Sequence, residues 1–356
     1  MANVFTREEN FVKDVVFQNG DSLWEKYERI GTLHLPKHTD IPHREDKSPF
    51  ASVSPIIYAF SASPTDFARV CIDNVDNQSD FLTMKDGVLY SKDMARLIFC
   101  VEEKETFIVP ESVSIIEPYA FCSQKKLRSI TLHDGIGCVG DGAFMGCAAL
   151  ETFTVSRSIT CINWRVFDGC VSLREIHIPD SVVGIGGYAF RHCDSLKRVA
   201  LPRYLEFLNS FECCGSLEEI EIPAGVEIVG GFMFCSSLKK VTLHEGVKRI
   251  SEYAFRYCDK LKHINFPEGL EKIGSRAFYP SNISQLEFPA SLKEVGVEAF
   301  YYNKKLKTVK FNSCVDIEMA AFACCPRVSM QTPPKMRIKK DVFEQNTTLD
   351  RFAFWD

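Results

Sequence analysis

Apolar residues recur along this chain in one fixed order. In His177–Val199 a two-residue alternation ends at Pro179. Val182 and Ile185 follow, three apart, and then come Ala189-Phe190, Cys193, Leu196 and Val199. The same order returns around a Phe at 121, 144, 167, 190, 211, 234, 255, 278, 300, 322 and 343, at intervals of 21 to 23 residues. Ala usually precedes that Phe, as at Ala120, Ala189 and Ala299, and an aliphatic residue follows six later, as at Leu127, Leu196 and Leu261. A fixed period in the twenties predicts a solenoid of stacked coils.

The spacing inside one repeat predicts its pieces. Leu196, Val199 and Leu201 end in a period-two run, so Val199 and Leu201 point inward while Arg198 and Ala200 point out, and Pro202 stops the strand. Val182 and Ile185 lie on a second extended or loosely wound segment, and Ala189-Phe190 opens a short helical turn whose Phe fills the interior. One such unit buries too few side chains to offset the ordering of its own backbone, so it depends on stacking against its neighbours.

The pattern divides the chain into three stretches. Residues 1–29 read as an N-terminal cap or a degenerate first repeat, with Val16-Phe17 and Leu23 as a weak signature. Residues 30–106 hold early repeats (Ile30, Leu33, Leu35, Pro36, then Ile57-Tyr58-Ala59-Phe60) interrupted by two insertions. The first, about 37–52, is a polar loop. The second, about 78–106, carries Lys85-Asp86-Gly87 between alternating apolar runs and reads as a hairpin. Residues 107–356 form the regular array, which ends in an edge strand at Phe352 and Phe354. No polar cap follows, so either Trp355 and the TPPKMRIKK segment cover that edge locally or its strand pairs with a second copy, giving a homodimer.

The recurring IP-x-x-V-x-x-I-x-x-x-AF-x-x-C-x-x-L-x-x-I, seen in His177–Val199 and again in Thr242–Ile264, resembles the BspA-type leucine-rich-repeat family. The insertion Asp86–Cys100 is similar to a hairpin that family often carries. The resemblance implies a right-handed leucine-rich-repeat superhelix, β-rich with short helical turns, of the α/β horseshoe class. It further implies protein binding, frequently at microbial surfaces, and no enzyme chemistry.

Composition narrows the rest. The 356 residues carry a net charge of −5, which argues against a nucleic-acid surface and gives no attraction to acidic membranes. No run reaches the length of a membrane-spanning helix. Arg7, Glu8, Glu9, Lys13 and Asp14 stand where a signal peptide would be apolar. Of 15 cysteines, Cys147, Cys170, Cys193, Cys214, Cys258 and Cys325 sit three residues past the repeating Phe. Residues locked to one repeat position serve shape, so free buried thiols are expected, which suits a reducing compartment. The chain as given thus reads as cytoplasmic, whereas the family resemblance points to the cell surface.

Nothing pairs a nucleophile with a base and no glycine-rich phosphate loop follows a strand, so the chain reads as a non-enzyme without a cofactor. His34, His38 and His43 crowd the first insertion with Asp40 and Asp46, but in a polar, proline-broken stretch that reads as surface loop rather than metal site. Two surfaces remain as candidates for a protein partner. One is the outward face of the strands, with Arg198, Glu219, Glu221, Lys240 and His263, where cross-strand pairing could leave the charges self-satisfied. The other is a tyrosine flank beside the repeating Phe, Tyr253, Tyr257, Tyr279, Tyr301 and Tyr302, since Tyr supplies large contact area at low entropy cost. A surface adhesin for host matrix or glycans and an intracellular scaffold or inhibitor stand as alternatives.

Overall fold

Stacked Phe rings set the pitch of each coil. In the computed structural model, which describes residues 11–16, 29–37 and 71–344, Phe190, Phe211, Phe232, Phe255, Phe278, Phe300 and Phe322 form one column. Successive centroids lie 5.0–5.6 Å apart and the rings lie nearly parallel. Phe121, Phe144 and Phe167 stack in the same way. The spacing is close to the 4.7–4.9 Å between hydrogen-bonded strands, so one ring fits each coil.

The ring column corrects the sequence reading at two coils. Phe234 is not the interior residue of its repeat: Phe232 is fully buried in the column, while Phe234 is 42% exposed. Cys235 and Leu238 lie three and six residues past Phe232, as the pattern requires. At the far end Phe343 is 44% exposed and Val342 is buried in its stead, turned inward by a single 3-10 turn, Lys340–Val342.

The chain divides into two compact units, Met1–Ile176 and His177–Asp356. In the first, Phe11–Val16, Arg29–Leu35 and Cys71–Asn77 form a parallel three-stranded sheet. Leu82–Lys85 and Val88–Ser91 then form an antiparallel hairpin, turning on Asp86 (φ 48°) and Gly87 (φ 71°), the two positive φ values that suit a tight hairpin. Arg96–Cys100 pairs antiparallel with Val88–Ser91 and parallel with Ile115–Ile116, which grafts the hairpin onto the solenoid sheet. Thr106–Ile108, Ser129–Thr131 and Thr152–Thr154 form the other parallel sheet of this unit.

In the second unit one parallel sheet is continuous: Gly184–Ile185, Phe207–Asn209, Ile228–Gly230, Arg249–Ile250, Lys272–Ile273, Glu294–Val295 and Asp316–Ile317. The opposite sheet is broken. Glu219–Ile222, Lys240–Leu243 and His263–Ile264 form one piece, and Gln285–Phe288, Thr308–Phe311 and Ser329–Gln331 another. Arg198–Leu201, expected as a strand, makes no ladder pairing, and Val199 and Leu201 are only half-buried.

The expected helical turn is realised as single overlapping turns. Arg256 donates its amide to Tyr253 and Cys258 donates to Phe255, while the intervening amides of Tyr253, Phe255 and Tyr257 donate across to Ser275, Ala277 and Tyr279 of the next coil. Left-handed residues interrupt any longer helix: Tyr253 (φ 58°) and Tyr257 (φ 60°) flank Phe255. The result is a third inter-coil ladder alongside the two sheets.

The Ile57-Tyr58-Ala59-Phe60 repeat, the cluster of His38, Asp40, His43 and Asp46, and the edge strand at Phe352 and Phe354 lie outside the described residues. No helix among the described residues is long and apolar enough to cross a membrane.

Candidate functional site

The interior of the coils is filled by a second column, three residues past each stacked Phe. Cys214, Cys235 and Cys258 donate their thiol protons to the carbonyls of Phe190, Phe211 and Phe232 at 3.1 Å, one coil back. Cys147 and Cys170 do the same to Phe121 and Phe144 in the first unit. Where the column lacks Cys, another donor stands in. Asn303 donates its amide to the carbonyls of Phe278 and Phe300 and accepts from the Ser281 hydroxyl, and Gln124 donates to the carbonyls of Cys100 and Glu102. Burial pushes the thiols of Cys170, Cys214, Cys235 and Cys258 well up from the usual thiol range, and that of Cys325 up to about 12. A thiol so held is neither a ready nucleophile nor a ready metal ligand. Among the described residues no group of three His, Cys, Asp or Glu could hold a metal ion, and His34 Nδ1 lies 2.8 Å from Asp76 on the neighbouring strand.

The strand face is largely self-paired. Arg198 meets Glu219 at 3.0 Å, His244 meets Glu221 at 2.7 Å, and Lys310 meets Glu287 at 2.6 Å. Each partner sits one coil away, as cross-strand pairing predicts. Lys240 stands beside Glu219 in register, yet it makes no ion pair among the described residues. Both breaks in this sheet open shallow grooves. One, of about 630 Å³, runs from Arg198 and Arg203 across Glu219 to His244. The other, of about 540 Å³, lies between His263 and Gln285.

The five predicted tyrosines are brought together. Phe234 stacks on Tyr257 at 4.8 Å, Tyr257 meets Tyr279 at 5.5 Å, Tyr279 meets Tyr301 at 5.3 Å and Tyr301 meets Tyr302 at 6.2 Å. Tyr253 joins through Arg256, whose guanidinium lies over Tyr253, Tyr257 and Tyr279. Local backbone places them. The second residue past the stacked Phe is left-handed at Tyr257 and Tyr302, as it is at Ser123, Gly146, Gly169, His192, Cys213, Phe234 and Cys324; Ser123 is buried there, whereas Phe234 and Tyr302 are exposed. Tyr253 and Tyr188 hold the left-handed position two before the Phe. Tyr253, Phe234 and Tyr302 are all about 40% exposed, whereas Tyr301 is buried against Ala320 and Ala323.

Phe234, Arg256 and Lys304 belong to this flank and were not visible as part of it in the sequence. Lys304 lies 4.0 Å over the Tyr302 ring and donates to its hydroxyl at 2.6 Å. A Cys at position 235 was the available signal for Phe234. The two cations occupy positions with no periodic identity.

Comparisons with known proteins agree with this architecture. The family model described as BspA type leucine rich repeat region matches in six copies, over residues 94–210, 161–245 and 229–350. No curated protein matches the chain. Among solved structures, a leucine-rich repeat protein from Bacteroides ovatus is 25% identical, with 71% of this chain and 70% of that chain covered and a TM-score of 0.62. A leucine rich cell surface protein from Faecalibacterium prausnitzii is 20% identical over 72% of this chain and 96% of that one, with a TM-score of 0.42. The pneumococcal vaccine antigen PcpA is 19% identical over 96% and 89%, with a TM-score of 0.45.

Proposed function

The chain belongs to the BspA-type leucine-rich repeat family, and from that premise we propose that it is a non-catalytic protein-binding repeat protein whose partner docks on the tyrosine flank. The observation that carries the reading is the continuous run of ring contacts from Phe234 to Tyr302, with Phe234, Tyr253 and Tyr302 exposed in a rigid frame. Rigid amphipathic rings lose little entropy on binding and make efficient anchors. The strand face is the weaker choice, because a partner there would have to displace ion pairs already made between neighbouring coils.

A photo-crosslinking amino acid placed at Tyr253 or Tyr302 tests this. Adducts are expected at those positions, and not when the same group replaces Lys248 or Lys272 along the continuous sheet. Adducts confined to positions 221 and 240 would move the docking face to the strands. Family membership also supports a surface location and an adhesin role, for which labelling of intact cells with a non-permeant biotin reagent is the direct measurement; absence of label would sink it.

A further inference from the structure

Arg256 is framed on three sides by rings and given no anion. Its guanidinium carbon lies 4.8 Å from the Tyr257 centroid, 5.3 Å from that of Tyr253 and 5.7 Å from that of Tyr279. Its Nε is buried and has no hydrogen-bond partner. Its side chain makes one long hydrogen bond, 3.4 Å from Nη2 to Tyr257 Oη, and no carboxylate of the described residues lies within ion-pairing reach. One coil on, Arg276 is treated differently: its Nε meets Glu298 Oε2 at 2.5 Å. Lys304 repeats the Arg256 arrangement, mounted on Tyr302 without an acid of its own. The flank therefore presents two cations on aromatic supports, and it leaves most of one guanidinium's five donors unused.

We propose that Arg256 in its tyrosine frame, with Lys304 as a second cation, recognises carboxylates on an acidic segment of the partner protein. A planar carboxylate matches the guanidinium fork, and the surrounding rings strengthen the pair by excluding water. The ring geometry favours a peptide over an acidic sugar. Sugar stacking needs an open ring face, and several here are taken: Phe234 and Tyr257 lie parallel against each other, and Arg256 lies over one face of Tyr257, Tyr253 and Tyr279. This assignment rests on the reading that the tyrosine flank is the docking face.

Fluorescence anisotropy on the full chain decides it, with a labelled decapeptide alternating Glu and Ala, its Gln-for-Glu counterpart, and an oligogalacturonate as the sugar acid. The Glu peptide is expected to bind, with affinity falling as salt rises, and the Gln peptide at least tenfold more weakly. Arg256→Gln should lose at least tenfold, Arg256→Lys less, and the exposed Lys304→Gln several-fold, with melting temperatures showing that each variant folds. Failure of the Glu peptide to bind, equal binding of the Gln peptide, unchanged affinity in Arg256→Gln, or binding of the oligogalacturonate alone would overturn the assignment. If partner crosslinks at Tyr302 persist at wild-type yield in Arg256→Gln, the carboxylate assignment fails and the flank stands. If the native chain gives no crosslinks at Tyr253 or Tyr302, both fail.

Discussion

Three residues past each stacked Phe, the coil needs a small side chain that donates a proton to a buried carbonyl. Cys258 does this for Phe232 and Cys214 for Phe190. Read from sequence, the cysteine column looked like hydrophobic filling with a weak donor; Gln124 and Asn303, which replace Cys and still donate to buried carbonyls, show that the donor matters, while Ser281 donates to the Asn303 side chain instead. Cys258→Ala should therefore cost about 1 kcal/mol, the net worth of one hydrogen bond, because the Phe232 carbonyl keeps the amide of Cys235 as a donor, whereas Cys258→Ser should cost less in urea denaturation. Asn303→Cys should be milder than Asn303→Ala, since a thiol restores one of the lost bonds. The Phe column carries more: Phe255→Ala removes a ring stacked on both sides and should cost about 3–5 kcal/mol.

The coil as an element was legible because its apolar spacing survives in so many copies, and the places where it was misread have local causes. GGFMFC offers two Phe two residues apart, and both satisfy a period of 21–23; only the offset to Cys235 and Leu238 separates them. The coils of Phe211 and Phe232 are the short ones: their strands Phe207–Asn209 and Ile228–Gly230 run almost directly into the Phe, and the left-handed residue two before it is missing. Gly231 absorbs the change with φ +78°, and a Cβ there would lie 2.3 Å from the Ser210 amide nitrogen. Gly231→Ala should lower the urea midpoint by an amount equivalent to about 2 kcal/mol or more, from backbone strain together with the clash. The unpaired Arg198–Leu201 segment left no trace in sequence, because its KRVALP pattern is that of a well-formed strand.

At the scale of the whole molecule, the buried thiols act in concert. Each has its pKa raised in the folded chain, from an ordinary 9.0 to about 12 for Cys325, because burial disfavours the thiolate. In the unfolded chain these thiols lose their protons above pH 9, so the unfolded state then binds fewer protons than the folded one. Their contribution is whole below about pH 9 and is lost as pH rises toward 12, with a limiting slope of about 1.4 kcal/mol per pH unit for each thiol. Denaturation midpoints measured across that range should fall steeply, and less steeply in Cys258→Ser. The fold class, the ring column and the five tyrosines could be read from spacing. The framing of Arg256 could not, since it depends on which coils happen to supply an acid.

The left-handed position two residues past each Phe has a consequence for how such a surface changes over time. Its backbone is already committed, so Ser123, His192, Phe234 and Tyr302 occupy the same position with different chemistry. Exchanging one for another rewrites the flank without touching what holds the coils together. Duplicating or deleting one coil slides the whole inscription by a single step of about 5 Å. A partner docked on this flank, as proposed above, would meet contact groups set at whole steps of that interval.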